Sequence, residues 1–116
     1  MDTPCVLTSR FPGSLRIAGE LDISALSRVS EALDQLALHD HVYLELSNLT
    51  FMDSAGVHAV IYAAKLAEPT GRLVLIGPTR QVQHVLDVSG VAKALPNLEI
   101  VHAVHRRDLR SHGTCE

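Results

Sequence analysis

Between Leu15 and Val101 the hydrophobic pattern changes period again and again, and few architectures accommodate that alternation. Leu15 and Ile17 alternate with polar neighbours, the signature of a half-buried strand. Leu26, Val29, Leu33 and Leu36 then recur at spacings of three and four, which lays them along one stripe of a helix. Val42, Leu44 and Leu46, with Tyr43 and Glu45 between them, return to the strand period. A second helical stripe follows in Val57, Val60, Ile61 and Ala64. Leu73 to Ile76 is a continuous apolar run between Gly71 and Gly77-Pro78, the pattern of a strand buried on both faces. Val82, Val85 and Leu86 mark a third helix, with Thr79 placed to cap it and Gly90 placed to end it. Leu98 to Val101 is a last short strand. Ahead of this series, Cys5 to Ser9 is a strand candidate joined to Leu15–Ile17 by a turn at Phe11-Pro12-Gly13, and Ser24 is the expected cap of the first helix.

The order is β-β-α-β-α-β-α-β, an α/β chain. Strands separated by helices pair in parallel through right-handed crossovers. The tight turn between the first two strands makes one edge strand antiparallel. The expected fold is therefore a mostly parallel sheet with helices packed on it.

The chain is 116 residues long, the size of one domain. Aromatics are only 3% and Trp is absent, so the core must be aliphatic, and few rings are available to stack on bases or sugars. The net charge of −3 argues against an electrostatic grip on nucleic acid or on an anionic membrane. The basic run Arg106, Arg107 and Arg110 does not reverse that balance. No apolar stretch approaches the ~20 residues of a membrane span, and Met1 to Arg10 lacks the basic flank and apolar run of a secretory signal. The expectation is a cytoplasmic protein without membrane insertion, a monomer or weak dimer. Residues 1–101 form the domain and 102–116 a polar, partly disordered tail.

Metal chemistry has little support. Cys5 and Cys115 lack C-x-x-C spacing, and neither cysteine joins His39, His41, His102, His105 or His112 in a ligand pattern. No cofactor is expected. A hydrolytic reading of Ser54 and His58, four apart, fails for want of a G-x-S-x-G elbow, an orienting acid and an oxyanion hole, so the chain is not read as an enzyme.

The informative segment is Leu44 to Lys65, which reads strand, loop, helix. Asp53 and Ser54 stand where the loop becomes a helix, and capping is the usual task of such residues there. A helix N-terminus also exposes unpaired N–H groups and a partial positive charge, so a phosphate on a hydroxyl at that point would meet donors.

Three stretches occur in order on this element pattern: Gly19-Glu20-Leu21-Asp22, Phe51-Met52-Asp53-Ser54-Ala55-Gly56-Val57, and Val85-Leu86-Asp87-Val88-Ser89-Gly90-Val91. Together they make the chain, from about Ser14 to Val101, resemble the STAS family, specifically the bacterial anti-sigma-factor antagonists. The resemblance implies partner switching. An unphosphorylated antagonist binds an anti-sigma factor that is a serine kinase and frees a sigma factor. Phosphorylation at the position of Ser54 ends that binding, and a serine phosphatase resets it. It further implies a partner surface of Asp22, Asp53, Ser54, Ala55, Gly56 and His58. Ala55 stands where the family usually has Ser or Thr, and His58 where relatives often carry glycine. The alternative function on the same fold is a STAS regulatory subunit of a membrane transporter complex, which needs no phosphorylation.

Overall fold

The computed structural model describes residues 5–36, 39–68 and 70–102. The expectations for Cys115, for Arg106, Arg107 and Arg110, for His105 and His112, and for all of the tail beyond His102 lie outside these residues.

Strands β1 (Val6–Thr8), β2 (Ser14–Leu21), β3 (Val42–Glu45), β4 (Leu49–Met52), β5 (Leu73–Ile76) and β6 (Leu98–Val101) form one six-stranded sheet. Its order is β1-β2-β3-β5-β6, with β4 off the path as a second partner of β2. Only β1 runs antiparallel, pairing Leu7 with Ile17, as the tight turn between it and β2 requires. Helices α1 (Leu26–Leu36), α2 (Ser54–Ala67), α3 (Arg80–Ser89) and the short α4 (Val91–Ala94) make the crossovers.

Burial follows the strand period. Leu15, Ile17 and Leu21 of β2, Val42 and Leu44 of β3, and Leu73 and Leu75 of β5 enter one aliphatic core with Val29 and Leu33 of α1 and Val82 and Leu86 of α3. The intervening Arg16, Ala18, Tyr43, Val74 and Ile76 are only half-buried. The expectation that Leu73–Ile76 is buried on both faces is therefore corrected. Its burial alternates, because the core lies against one face of the sheet.

Helix α2 packs against α1, α3 and the strands β3, β4 and β5. Its buried positions are Ala55, Gly56, Ala59, Val60, Ala63, Ala64 and Ala67, whereas Val57 and Ile61 are half-buried. Small side chains let the helix axis lie close to the sheet, so the contact face follows the alanines and leaves the two larger residues at its margin.

Strand β4 and helix α4 were not among the expected elements. Only Leu46, Ser47 and Asn48 separate β3 from β4, with the Leu49 amide donating to the Leu46 carbonyl at 3.0 Å. The buried residues of β4 are Leu49 and Met52, three apart, so the strand shows no period of two. The register between β2 and β4 shifts between Gly19 and Glu20, and Gly19 has φ +94°, a backbone region costly for residues with a Cβ. Ser14–Arg16 of β2 pair with β3, and Gly19–Leu21 pair with β4. Helix α3 has the expected cap, the Thr79 hydroxyl accepting from the Val82 amide at 3.3 Å, and ends at Gly90 in the left-handed conformation. Cys5 is buried beneath this framework, and burial pushes its thiol upward, partly opposed by Arg28.

Candidate functional site

The parallel register pairs Leu21 with Met52, so Asp22 and Asp53 leave adjacent strands at the same end of the sheet. Each aspartate has extended backbone, and each caps the turn that follows. The Asp53 Oδ1 accepts from the Ala55 amide at 2.9 Å and starts α2. The Asp22 Oδ1 accepts from the Ser24 amide at 3.0 Å and from the Ser24 hydroxyl at 2.6 Å, closing a 3-10 turn over Ile23–Ala25 that leads into α1. Ser24 is thus not the cap of α1. An aspartate two residues earlier accepts from both the amide and the hydroxyl of Ser24, so the serine is a donor in the 3-10 turn rather than the acceptor for a helix amide.

The two loops are near-copies, Leu21-Asp22-Ile23-Ser24 beside Met52-Asp53-Ser54-Ala55. In each, the residue after the aspartate is the first of its helical turn and faces outward. One is Ser54, which is exposed, and the other is Ile23, at 75% exposure. The Val57 amide donates to the Asp53 carbonyl at 3.2 Å. Among the described residues, the Ser54 and Gly56 amides remain the first-turn donors without a partner. Ser54 therefore stands exposed at a helix N-terminus, next to Asp53 and at the end of the sheet where Asp22 also emerges.

Among the residues expected at a partner surface, Asp22, Asp53 and Ser54 meet at this rim. His58 is exposed one turn further along α2, on the same outward stripe. Ala55 and Gly56 do not share this exposure; both are buried. A Cβ on Gly56 would come within 2.2 Å of the Met52 Cγ, so the glycine lets the first turn of α2 sit on the end of β4. Ile23 was missed by sequence reasoning, since nothing in the string Leu-Asp-Ile-Ser tells a buried isoleucine from an exposed one. Further along α2, Tyr62 donates to the Asp34 carboxylate and ties the helix to α1.

A family model described as "Mlab, STAS domain" matches residues 8–101. The chain belongs to the STAS domain family. It is 31% identical over 86 residues to an anti-sigma F factor antagonist from Paenibacillus polymyxa, covering 71% of this chain and 74% of the relative. Its fold is that of the anti-sigma factor antagonist SpoIIAA in its unphosphorylated form, with a TM-score of 0.68 at 23% identity over 94% of this chain and 96% of that one. The Bacillus cell fate determinant SpoIIAA in its phosphorylated form gives a TM-score of 0.63 at 21% identity, covering 94% and 98% of the two chains. The expected STAS-type α/β architecture, mostly parallel with one antiparallel edge strand and helices packed on it, is the one observed.

Among the described residues no group of three or more His, Cys, Asp or Glu could hold a metal ion, and no helix is long and apolar enough to cross a membrane. His41 has a structural task, its Nδ1 accepting from the Arg72 amide at 3.1 Å.

The Asp22 cap makes a measurable prediction. The Ser24 hydroxyl, foremost, with help from nearby amides, holds the Asp22 carboxyl below its ordinary 3.8 despite some desolvation. A carboxyl depressed in the folded state stabilises the fold above its unfolded value and loses that contribution as the pH falls through the folded one, here below about 3.8. In Ser24→Ala the Asp22 midpoint, followed by carbon-13 NMR, is expected to rise toward 3.8. An unchanged midpoint would contradict the geometry.

Proposed function

We propose that this STAS domain is a cytoplasmic anti-sigma-factor antagonist. In its unphosphorylated form it binds an anti-sigma factor that is a serine kinase, and phosphorylation of Ser54 ends the binding. Residues 1–101 carry this activity, and a serine phosphatase resets the switch. The role is regulatory rather than catalytic.

The observation that carries the reading is the placement of Ser54, exposed at the first position of α2 with Asp53, not Ser54, serving as the cap. The hydroxyl is thereby free of structural duty. Support from kinship comes from the Paenibacillus polymyxa antagonist.

The energetics separate folding from binding. Phosphorylation adds about −1.5 to −2 charges near neutral pH. The helix dipole favours an anion there by ~0.3–1 kcal/mol, so the fold tolerates the group. A partner covering the same rim would have to desolvate that charge next to Asp22 and Asp53, which costs far more. Binding is lost while the domain stays folded.

The test compares wild type, Ser54→Ala and Ser54→Asp against the serine-kinase anti-sigma factor of the same organism. Ser54→Ala is expected to bind and to resist phosphorylation. Ser54→Asp is expected to keep its unfolding midpoint and to bind roughly 100-fold more weakly. Equal affinity of Ser54→Asp, or phosphate located by mass spectrometry on another residue, would defeat the proposal. Indifference to Ser54→Asp, combined with capture of a transporter ATPase, would favour the alternative of a transporter-bound STAS subunit.

A further inference from the structure

A single exposed aliphatic residue is ordinary on a protein surface, so the exposure of Ile23 means nothing by itself. Its position does. Ile23 occupies in its loop the place that Ser54 occupies in the neighbouring loop, and the pairing of Leu21 with Met52 sets the two loops side by side. The side chain is 75% exposed although the turn that carries it is fixed from both ends. The Asp22 carboxylate holds the Ser24 amide and hydroxyl, and the Ala25 amide donates to the Asp22 carbonyl at 3.1 Å. Ala25, the next apolar residue, is buried at 2% exposure, so the turn packs inward through Ala25 and leaves Ile23 standing out. A residue whose backbone is held in this way loses little main-chain freedom on binding, which is what a good anchor requires.

We infer that Ile23 is the apolar anchor by which the unmodified domain holds its partner. The partner surface that fits is an apolar socket bordered by arginine or lysine. The isoleucine fills the socket, and the cations meet the carboxylates of Asp22 and Asp53 that flank it in the chain and across the strands. This rests on the partner-switching reading and deepens it. The anchor and the phosphorylated hydroxyl are neighbours, so a dianion on Ser54 would have to be drawn into the same water-excluded contact that Ile23 makes.

The experiment measures the affinity of wild type, Ile23→Ser and Ile23→Val, all with Ser54 unmodified, for the purified serine-kinase anti-sigma factor of the same organism, at low and high salt. Ile23→Ser should bind roughly 30-fold more weakly, and Ile23→Val should recover to within about 3-fold of wild type, as expected for removing and restoring buried aliphatic area. Both variants should unfold at the wild-type denaturant concentration, because the replaced side chain is largely outside the core. Wild-type affinity should fall as salt rises if carboxylates meet cations. Ile23→Ser binding within about 2-fold of wild type overturns the anchor while leaving the switch at Ser54 intact. Failure of the wild-type protein itself to bind overturns the partner-switching reading, and the anchor with it.

Discussion

Gly71→Ala is expected to destabilise the domain by about 3 kcal/mol or more, the upper range for overpacking a close-packed interior. The Cβ of an alanine there would lie 1.4 Å from the Asp40 carbonyl oxygen and 2.7 Å from that of Ala67. Both obstacles are backbone, so no side chain can swing aside. The segment is also pinned. The Gly71 amide donates to the Ala67 carbonyl at 2.8 Å, and the Asn97 side-chain amide donates to the carbonyls of Ala64 at 2.9 Å and Gly71 at 3.3 Å. Relief of the clash would have to move the end of α2, the lead into β3 and the lead into β5 together. Denaturant unfolding of the purified variant measures the loss. A midpoint indistinguishable from wild type would mean that these three segments are not packed as described.

The second large effect concerns the middle of α2. Val60→Asp places a carboxylate at a site 1% exposed, in an aliphatic core that holds no buried cationic group among the described residues. Leaving a charge buried and unpaired costs several kcal/mol, comparable to the whole stability of a small domain. Cooperative unfolding should be abolished at neutral pH. Val57→Asp, one turn earlier but only half-buried, should remain folded with a smaller loss, because its carboxylate can reach solvent. Circular dichroism through a denaturant titration of the two variants decides the matter. A folded Val60→Asp, or an unfolded Val57→Asp, would place the buried face of α2 elsewhere.

That contrast also marks the limit of what the sequence discloses. The strand-helix alternation was legible because aliphatic residues on β2, β3 and α1 recur at distinct periods, and periodicity reports which face meets the core. Helix α2 resists the same reading. With alanines at 55, 59, 63, 64 and 67, it is apolar on most sides, so its contact face is chosen by which side chains are small enough to approach the sheet. Strand β4 was hidden for another reason, since its own extra residue, Thr50, falls at the register shift and breaks its period. The cap of α3 at Thr79 and its end at Gly90 are local chemistry and could be read directly. The start of α1 could not, because a 3-10 turn capped by Asp22 precedes the helix and takes the Ser24 amide and hydroxyl as its donors.

For the candidate site, the string Asp53-Ser54-Ala55-Gly56 announced a helix start, and the structure places it there. Which of those residues face outward was not legible. Ala55 and Gly56 serve the inside of the fold, whereas Ile23 lies about thirty positions away in sequence and reaches the same rim only through the pairing of β2 with β4.

The change of partner along β2 has a mechanical consequence. The ladder joining β3 to β5 stops at Glu45 and Ile76, while Gly19–Leu21 and Leu49–Met52 continue as a two-strand spur, β4 taking no second strand as neighbour among the described residues. Ser54 and Ile23 ride on the tip of that spur like tools on a jib. The spur is backed from beneath, since Leu21, Leu49 and Met52 are buried and β4 packs on α2 and α3, so load applied at the tip passes into the helical layer before it reaches the slab of strands behind it.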